Sequence, residues 1–192
     1  MYFPALIDLE GKDVLVVGGG KIAGDKISHL LDFTRRITVI SPHCTPRVTQ
    51  FIEQFGLTYI PRPYRKGDIE GFAMAIVAVD SIELQKAIYE ESRHSRTLIN
   101  SVDSAQYCDF IFPSYIKRGD LVVAFSTGGA SPSLAKYLRR AVEMLLPPDI
   151  GEFVSSLKRL RQTLPKGRER MELLDRKAKE YIDFHFRRDN VQ

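Results

Sequence analysis

Four groups of residues in this 192-residue chain have types and spacings suited to chemistry. The first is Gly18-Gly19-Gly20-Lys21-Ile22-Ala23, a G-x-G-x-x-A pattern directly behind the apolar run Val14 to Val17. In such a turn Gly18 permits the tight reversal, Gly20 lets backbone approach a pyrophosphate, and Ala23 keeps helix close to strand. The N–H groups at Lys21, Ile22 and Ala23, with the helix dipole behind them, then favour phosphate. The second group, Ser41-Pro42-His43, ends the next apolar strand, where a carboxylate ordinarily takes the adenosine ribose. No acid stands there, so the Ser41 hydroxyl or backbone groups must serve; Arg47 lies further on, and this strand end alone does not separate NAD from NADP. The third is Asp103, just past Asn100-Ser101-Val102, a carboxylate able to accept a proton, although the residues alone favour a turn-forming or capping role. The fourth is Ser126-Thr127-Gly128-Gly129-Ala130-Ser131, whose Gly128 to Ser131 stretch before a helix offers an anion-binding nest. Lys136, Arg139 and Arg140 follow on that helix, as ligand contacts or as a solvated face.

The elements that must position these groups alternate. Val14 to Val17 reads as a strand, Lys21 to Asp32 as a helix and Ile37 to Ile40 as a strand, a βαβ unit. A helix over Pro46 to Phe55 and a strand over Leu57 to Ile60 follow. Met74 to Val79 is an unbroken apolar run, as expected for a parallel strand covered on both faces. Ile82 to His94 spaces Leu84, Ala87 and Ile88 for one apolar helix face, with Glu91 at its polar edge, and Thr97 to Asn100 is the next strand. Beyond Asn100 the pattern changes: Asp109 to Phe112 and Ser114 to Lys117 lead through Arg118-Gly119-Asp120 to Leu121 to Ser126, an antiparallel hairpin. Ser131 is placed to cap a helix with Pro132 at its first position, ending at Pro147-Pro148. Two further helices, Ile150 to Leu164 and Arg168 to Phe186, are separated by Pro165-Lys166-Gly167. The fold class is α/β, a Rossmann-type parallel sheet followed by a hairpin/helix region and a C-terminal helical appendage.

Composition narrows the function classes. With 44% hydrophobic and 27% charged residues the chain is ordinary for a globular protein, and no apolar run approaches the roughly 18 residues that span a bilayer. The start, Met1-Tyr2-Phe3-Pro4, has no basic segment with an apolar stretch behind it, so a cytoplasmic location is expected. Cys44 and Cys108 stand far apart, without zinc or CxxC spacing, and are expected to be reduced. The net charge of +4 is concentrated near the C-terminus, in Lys158 to Arg161 and Lys166 to Arg168, but no nucleic-acid-binding signature accompanies it. No nucleic acid and no membrane partner is expected. His29 with Asp32, and His94 with Glu90 and Glu91, lie one helical turn apart, yet each pairing lacks the further ligands of a metal cage. None is expected.

Taken together and in order, several segments resemble the precorrin-2 dehydrogenase family, including the N-terminal module of siroheme synthases and its sirohydrochlorin ferrochelatase members. They are Phe3-Pro4 with Leu6, Val17 to Gly20 with Ala23 and Lys26, Thr38-Val39, Asn100 to Asp103, Phe112-Pro113-Ser114 and Ser126 to Pro132. The family commonly lacks an acid after the second strand, which accounts for Ser41-Pro42. The resemblance implies NAD-dependent oxidation of precorrin-2, a carboxylate-rich tetrapyrrole, to sirohydrochlorin in siroheme biosynthesis, with Fe²⁺ insertion in some members. It implies that Asp103 is the acid/base residue. It also implies that Ala78 and Val79 join the cofactor site, and that Asn100, Ser126, Thr127, Gly128, Gly129 and Ser131 contact substrate. A homodimer is implied as well, giving an expected division into a nucleotide-binding domain (1–112), a dimerisation and substrate-site region (113–148) and a helical domain (149–192). The rival reading is a non-catalytic Rossmann module that senses NAD(H), which would need neither Asp103 nor the Gly128-Gly129 loop.

Overall fold

The computed structural model describes residues 2–186. The chain forms two compact units, Met1–Ile111 and Phe112–Gln192. The first contains β1 (Val14–Val17), α1 (Lys21–Leu30), β2 (Ile37–Ile40), α2 (Pro46–Phe55), β3 (Thr58–Ile60), β4 (Met74–Val77), α3 (Ile82–Ser95) and β5 (Leu98–Ser101). Its five strands are all parallel, in the order β3-β2-β1-β4-β5.

Every residue of β1 and β4 is buried, as an apolar run covered on both faces requires. Side chains alternate along each strand, so two cores result. Leu15, Val17, Ala75, Val77 and Ile99 pack with Ile88 of α3. The alternate residues, Val14, Val16, Met74 and Ile76, are likewise buried, and α1 and α2 contribute buried Ala23, Ile27 and Val48. Register brings the carboxyl ends into one row: Val17 lies beside Ile40 and Val77, and Val77 beside Ser101. The loops that follow these strands therefore emerge along one edge, where open α/β sheets bind ligands.

Two sequence expectations need correction. The fourth strand stops at Val77 and does not run to Val79. The Ala78 N–H still donates to the Val17 carbonyl at 2.8 Å, but the chain then turns toward the Ser81 cap of α3. Asp109 to Phe112 is not part of the hairpin. Asp109 folds back on β5, its N–H donating to the Ile99 carbonyl at 2.8 Å and its carboxylate accepting from the Ile99 N–H at 2.9 Å and from Arg93. A side chain thus completes the edge of the sheet, which no periodicity announces.

In the second unit β6 (Ser114–Arg118) and β7 (Leu121–Phe125) form the antiparallel hairpin, followed by α4 (Pro132–Leu145), α5 (Ile150–Thr163) and α6 (Arg168–Phe186). The start of α5 packs on the hairpin turn so closely that a side chain at Gly151 would meet the Arg118 carbonyl at 3.0 Å. Lys158 pairs with Asp120 across the same contact at 2.9 Å. Phe153 stacks on Tyr181 at 3.9 Å, joining α5 to α6. No helix among the described residues is long and apolar enough to cross a membrane.

Candidate active site

The turn between β1 and α1 is shaped by two close approaches and one opening. Gly18 has φ +113°, and a β-carbon there would lie 2.2 Å from the Ala78 carbonyl oxygen. A β-carbon on Gly19 would lie 2.3 Å from the His43 carbonyl and 2.7 Å from the Cys44 sulfur. These two glycines let the turn nest between the ends of β4 and β2. Gly20 differs: its backbone is extended (φ −79°, ψ −171°), and a β-carbon there would meet nothing within 4 Å. The opening lies at the start of α1, whose Gly20 cap brings no side-chain hydrogen bond and whose first turn carries no acidic residue. The first intrahelical bond runs from the Gly24 N–H to the Gly20 carbonyl at 3.0 Å, so the N–H groups of Lys21, Ile22 and Ala23 precede the helical ladder. Buried Ala23 seats the helix against the sheet, while Lys21 and Ile22 are exposed. Space, donors and dipole together fit a dinucleotide pyrophosphate.

The loop after β2 is lashed to this turn. Thr45 donates to the Gly19 carbonyl twice, from its N–H at 2.9 Å and its hydroxyl at 3.2 Å. Ser41 is buried; its hydroxyl donates to the His43 carbonyl at 2.7 Å, and its own carbonyl accepts from the Tyr59 hydroxyl at 3.1 Å. Its oxygen is thus left as an acceptor only, while Pro42 and His43 are the exposed residues of the strand end. Arg47 is engaged by Asp25 of α1 and lies over the Phe51 ring at 5.5 Å. Ala78 and Val79 flank the turn from the other side, and buried Gln85 of α3 donates to the Val79 carbonyl at 2.7 Å. Gly19, Thr45, Tyr59 and Gln85 were not singled out in the sequence, because their roles are contacts between segments distant in the chain.

One strand beyond β4, Asn100 and Ser101 close β5 and the chain turns through Asp103, which is exposed at φ +62°. A left-handed residue other than glycine is uncommon, and aspartate is among the few that tolerate it. The turn is held by the Val102 N–H donating to the Val77 carbonyl at 2.9 Å and by a short 3₁₀ turn at Ala105–Tyr107. Asn100 is buried: its Nδ2 donates to the Phe110 carbonyl at 2.9 Å and reaches the Cys108 sulfur at 3.7 Å, while its Oδ1 has no partner. Burial raises the Cys108 thiol above the ordinary cysteine range, and its sulfur donates to the Ser101 carbonyl. The structure therefore brings Gly18 to Ala23, Ser41 to His43, Ala78, Val79, Asn100 and Asp103 to one edge of one sheet.

The residues 126–131 belong to the second unit and form a loop that largely hydrogen-bonds itself. The Gly128 N–H donates to Ser126 Oγ at 3.1 Å, the Ala130 N–H to the Thr127 carbonyl at 3.1 Å, and the Ser131 N–H to Thr127 Oγ1 at 2.9 Å. Gly128 (φ +63°) and Gly129 (φ +92°) supply the left-handed backbone this requires. Most of the N–H groups of the expected nest thus point inward, but the three hydroxyls act here as acceptors and keep their protons available to an anion. Ser131 Oγ accepts from the Leu134 N–H at 3.2 Å, capping α4. Ser131→Ala is expected to cost about 1 kcal/mol of stability, read as a lowered urea midpoint at unchanged slope. Arg139 and Arg118 share Glu143, and Arg140 lies over the Tyr137 ring at 5.9 Å, whereas Lys136 is exposed. Glu91, weighed above with His94, instead accepts from the Tyr64 hydroxyl at 2.9 Å and the Gly67 N–H at 2.6 Å.

A glycine-rich turn between β1 and α1 at the edge of a parallel sheet, with strand order 3-2-1-4-5, defines a Rossmann-type fold. A family described as "Putative NAD(P)-binding" matches residues 5–114, and the chain belongs to that family. It is 35% identical over 150 residues to a siroheme synthase of Mannheimia succiniciproducens, covering 78% of this chain and 32% of that protein. It is 33% identical over 161 residues to siroheme synthase 1 of Aeromonas hydrophila, covering 84% and 35%. The chain thus spans about a third of the length of these curated relatives. A solved structure of SirC, a precorrin-2 dehydrogenase, superimposes with a TM-score of 0.77 at 25% identity, covering 99% of this chain and 94% of that one. These findings bear out the resemblance drawn from the sequence.

Proposed function

We propose that this chain oxidises precorrin-2 to sirohydrochlorin with NAD⁺, and that Asp103 is the residue that handles the proton. In that reaction a hydride leaves a carbon of the macrocycle with its electron pair and a proton is lost to a base; bound NAD⁺ supplies the hydride acceptor. The observation that carries the reading is the placement of Asp103. Its left-handed turn follows β5, two strands from the Gly18–Gly20 turn on the same carboxyl edge. The pyrophosphate would rest on the start of α1, with Ser41, Pro42 and His43 toward the adenosine ribose and Ala78 and Val79 along the cofactor. The hydroxyls of Ser126, Thr127 and Ser131, with the Gly128-Gly129 backbone, would receive substrate carboxylates. A sensor that only bound NAD(H) would have no use for an exposed carboxylate at this turn. Titration of NAD⁺ and NADP⁺ into the protein tests the cofactor half, and tighter binding of NADP⁺ would count against it.

A homodimer fits the exposed apolar face of α4. Leu134, Tyr137, Leu138 and Leu145 recur at helical spacing and are 51%, 64%, 44% and 67% exposed. Apolar area of this kind on one helix ordinarily marks an interface. Sedimentation should show a dimer, and Leu138→Glu should yield folded monomer; a monomeric unsubstituted protein would refute the interface.

A further inference from the structure

Asp103 stands exposed near the tip of a loop, so the place of its carboxylate follows the backbone that carries it. That backbone leaves β5 after Ser101 and returns antiparallel along the same strand, Cys108 bridging Asn100. The base of the loop is closed by Asp109 on Ile99. The Asp109 N–H donates to the Ile99 carbonyl at 2.8 Å, and the Asp109 carboxylate accepts from the Ile99 N–H at 2.9 Å. Asn100 Nδ2 adds a third tie, to the Phe110 carbonyl at 2.9 Å.

The closed loop is fixed in turn to α3. Arg93 donates to Asp109 from both terminal nitrogens, at 2.9 Å and 2.5 Å, and is itself held by Ser92 Oγ at 2.8 Å and by the Tyr89 ring at 4.3 Å. The Tyr107 ring, in the 3₁₀ turn beyond Asp103, lies 5.6 Å from that of Tyr89. β5 is the last strand of its sheet, and backbone pairing alone would cover its edge. The two-point ion pair adds something else, because a planar fork on a carboxylate fixes direction as well as distance. Both Asp109 oxygens are engaged, so an amide in its place would turn a donor toward a donor.

We infer that Arg93 and Asp109 are positioning residues for Asp103: clasped together, they hold the base of the loop so that its left-handed turn presents the carboxylate at the edge of the sheet. The inference rests on the dehydrogenase reading above. Arg93→Met keeps an unbranched stem beside Tyr89 and removes the clasp, whereas Arg93→Lys keeps the charge without the two-point grip. With precorrin-2 and NAD⁺, kcat of Arg93→Met should fall by about 10-fold at nearly constant KM and unchanged NAD⁺ affinity. Arg93→Lys should recover part of that loss. Asp109→Asn should match Arg93→Met, and it carries the comparison if Arg93→Met does not fold. The deciding arm is the double variant. Once Asp103→Asn has removed the group being positioned, adding Arg93→Met or Asp109→Asn should lower kcat no further. An unchanged kcat in the single variants, the same 10-fold loss on top of Asp103→Asn, or a loss that tracks NAD⁺ affinity or the folded fraction would overturn the positioning role while leaving the dehydrogenase reading intact. Absence of turnover in the unsubstituted protein would remove that reading, and the positioning role with it.

Discussion

Replacing Asp103 is expected to cut turnover of precorrin-2 by about 10²- to 10⁴-fold, the range that a positioned acid or base contributes. NAD⁺ affinity should stay as it was. The choice of replacement matters because Asp103 adopts φ +62°. Alanine there adds about 1–2 kcal/mol of backbone strain to the loss of the carboxylate. Asparagine tolerates the left-handed region and can keep the turn, so Asp103→Asn removes the charge and the proton acceptor with little else. If the carboxylate acts in the chemistry, both variants lose turnover to a similar degree, although only alanine lowers the urea midpoint. If Asp103 merely shapes the turn, Asp103→Asn stays active. Steady-state kinetics beside a titration of NAD⁺ distinguish the two, and an active Asp103→Asn protein would remove the residue from the mechanism.

The second large effect concerns the phosphate turn, where neighbouring glycines should fail in opposite ways. Gly20→Leu places a side chain in the open space at the start of α1, where nothing lies within 4 Å of the new β-carbon. The fold should survive, losing at most about 1 kcal/mol from a poorer helix cap. NAD⁺ affinity should fall by about 100-fold or more, which is ~2.8 kcal/mol. Gly18→Ala drives a methyl group onto the Ala78 carbonyl, 2.2 Å away, at a φ of +113°. It should destabilise the protein by about 2–5 kcal/mol. Parallel urea melts and NAD⁺ titrations give the contrast. A Gly20→Leu protein that binds NAD⁺ normally would contradict the placement of the pyrophosphate.

The order of strands and helices was legible because each element writes its own period. The four buried residues of β1, the Pro46 start of α2 and the Ser131-Pro132 start of α4 are local signals, and the structure places those elements at the residues expected. What stayed hidden was every feature made by two distant segments. Gly19 reads as one more glycine until His43 and Cys44 are seen pressed against it. Asp109 reads as the start of a strand until its carboxylate is found on the Ile99 N–H. The left-handed turns at Arg96 and Asp103 carry no glycine to mark them. Of the candidate site, the phosphate turn rested on local spacing alone, and Asp103 needed the family resemblance to be preferred over a simple turn residue.

If Asp103 serves the same carboxyl edge of the sheet as the glycine-rich turn after β1, the protein turns over precorrin-2 and does not merely bind the nucleotide. The most direct measurement mixes the purified protein anaerobically with precorrin-2 and NAD⁺ and follows NADH and sirohydrochlorin absorbance together. The two products should rise in equal amounts, at a rate proportional to protein concentration. Saturable NAD⁺ binding with neither product formed would contradict the claim.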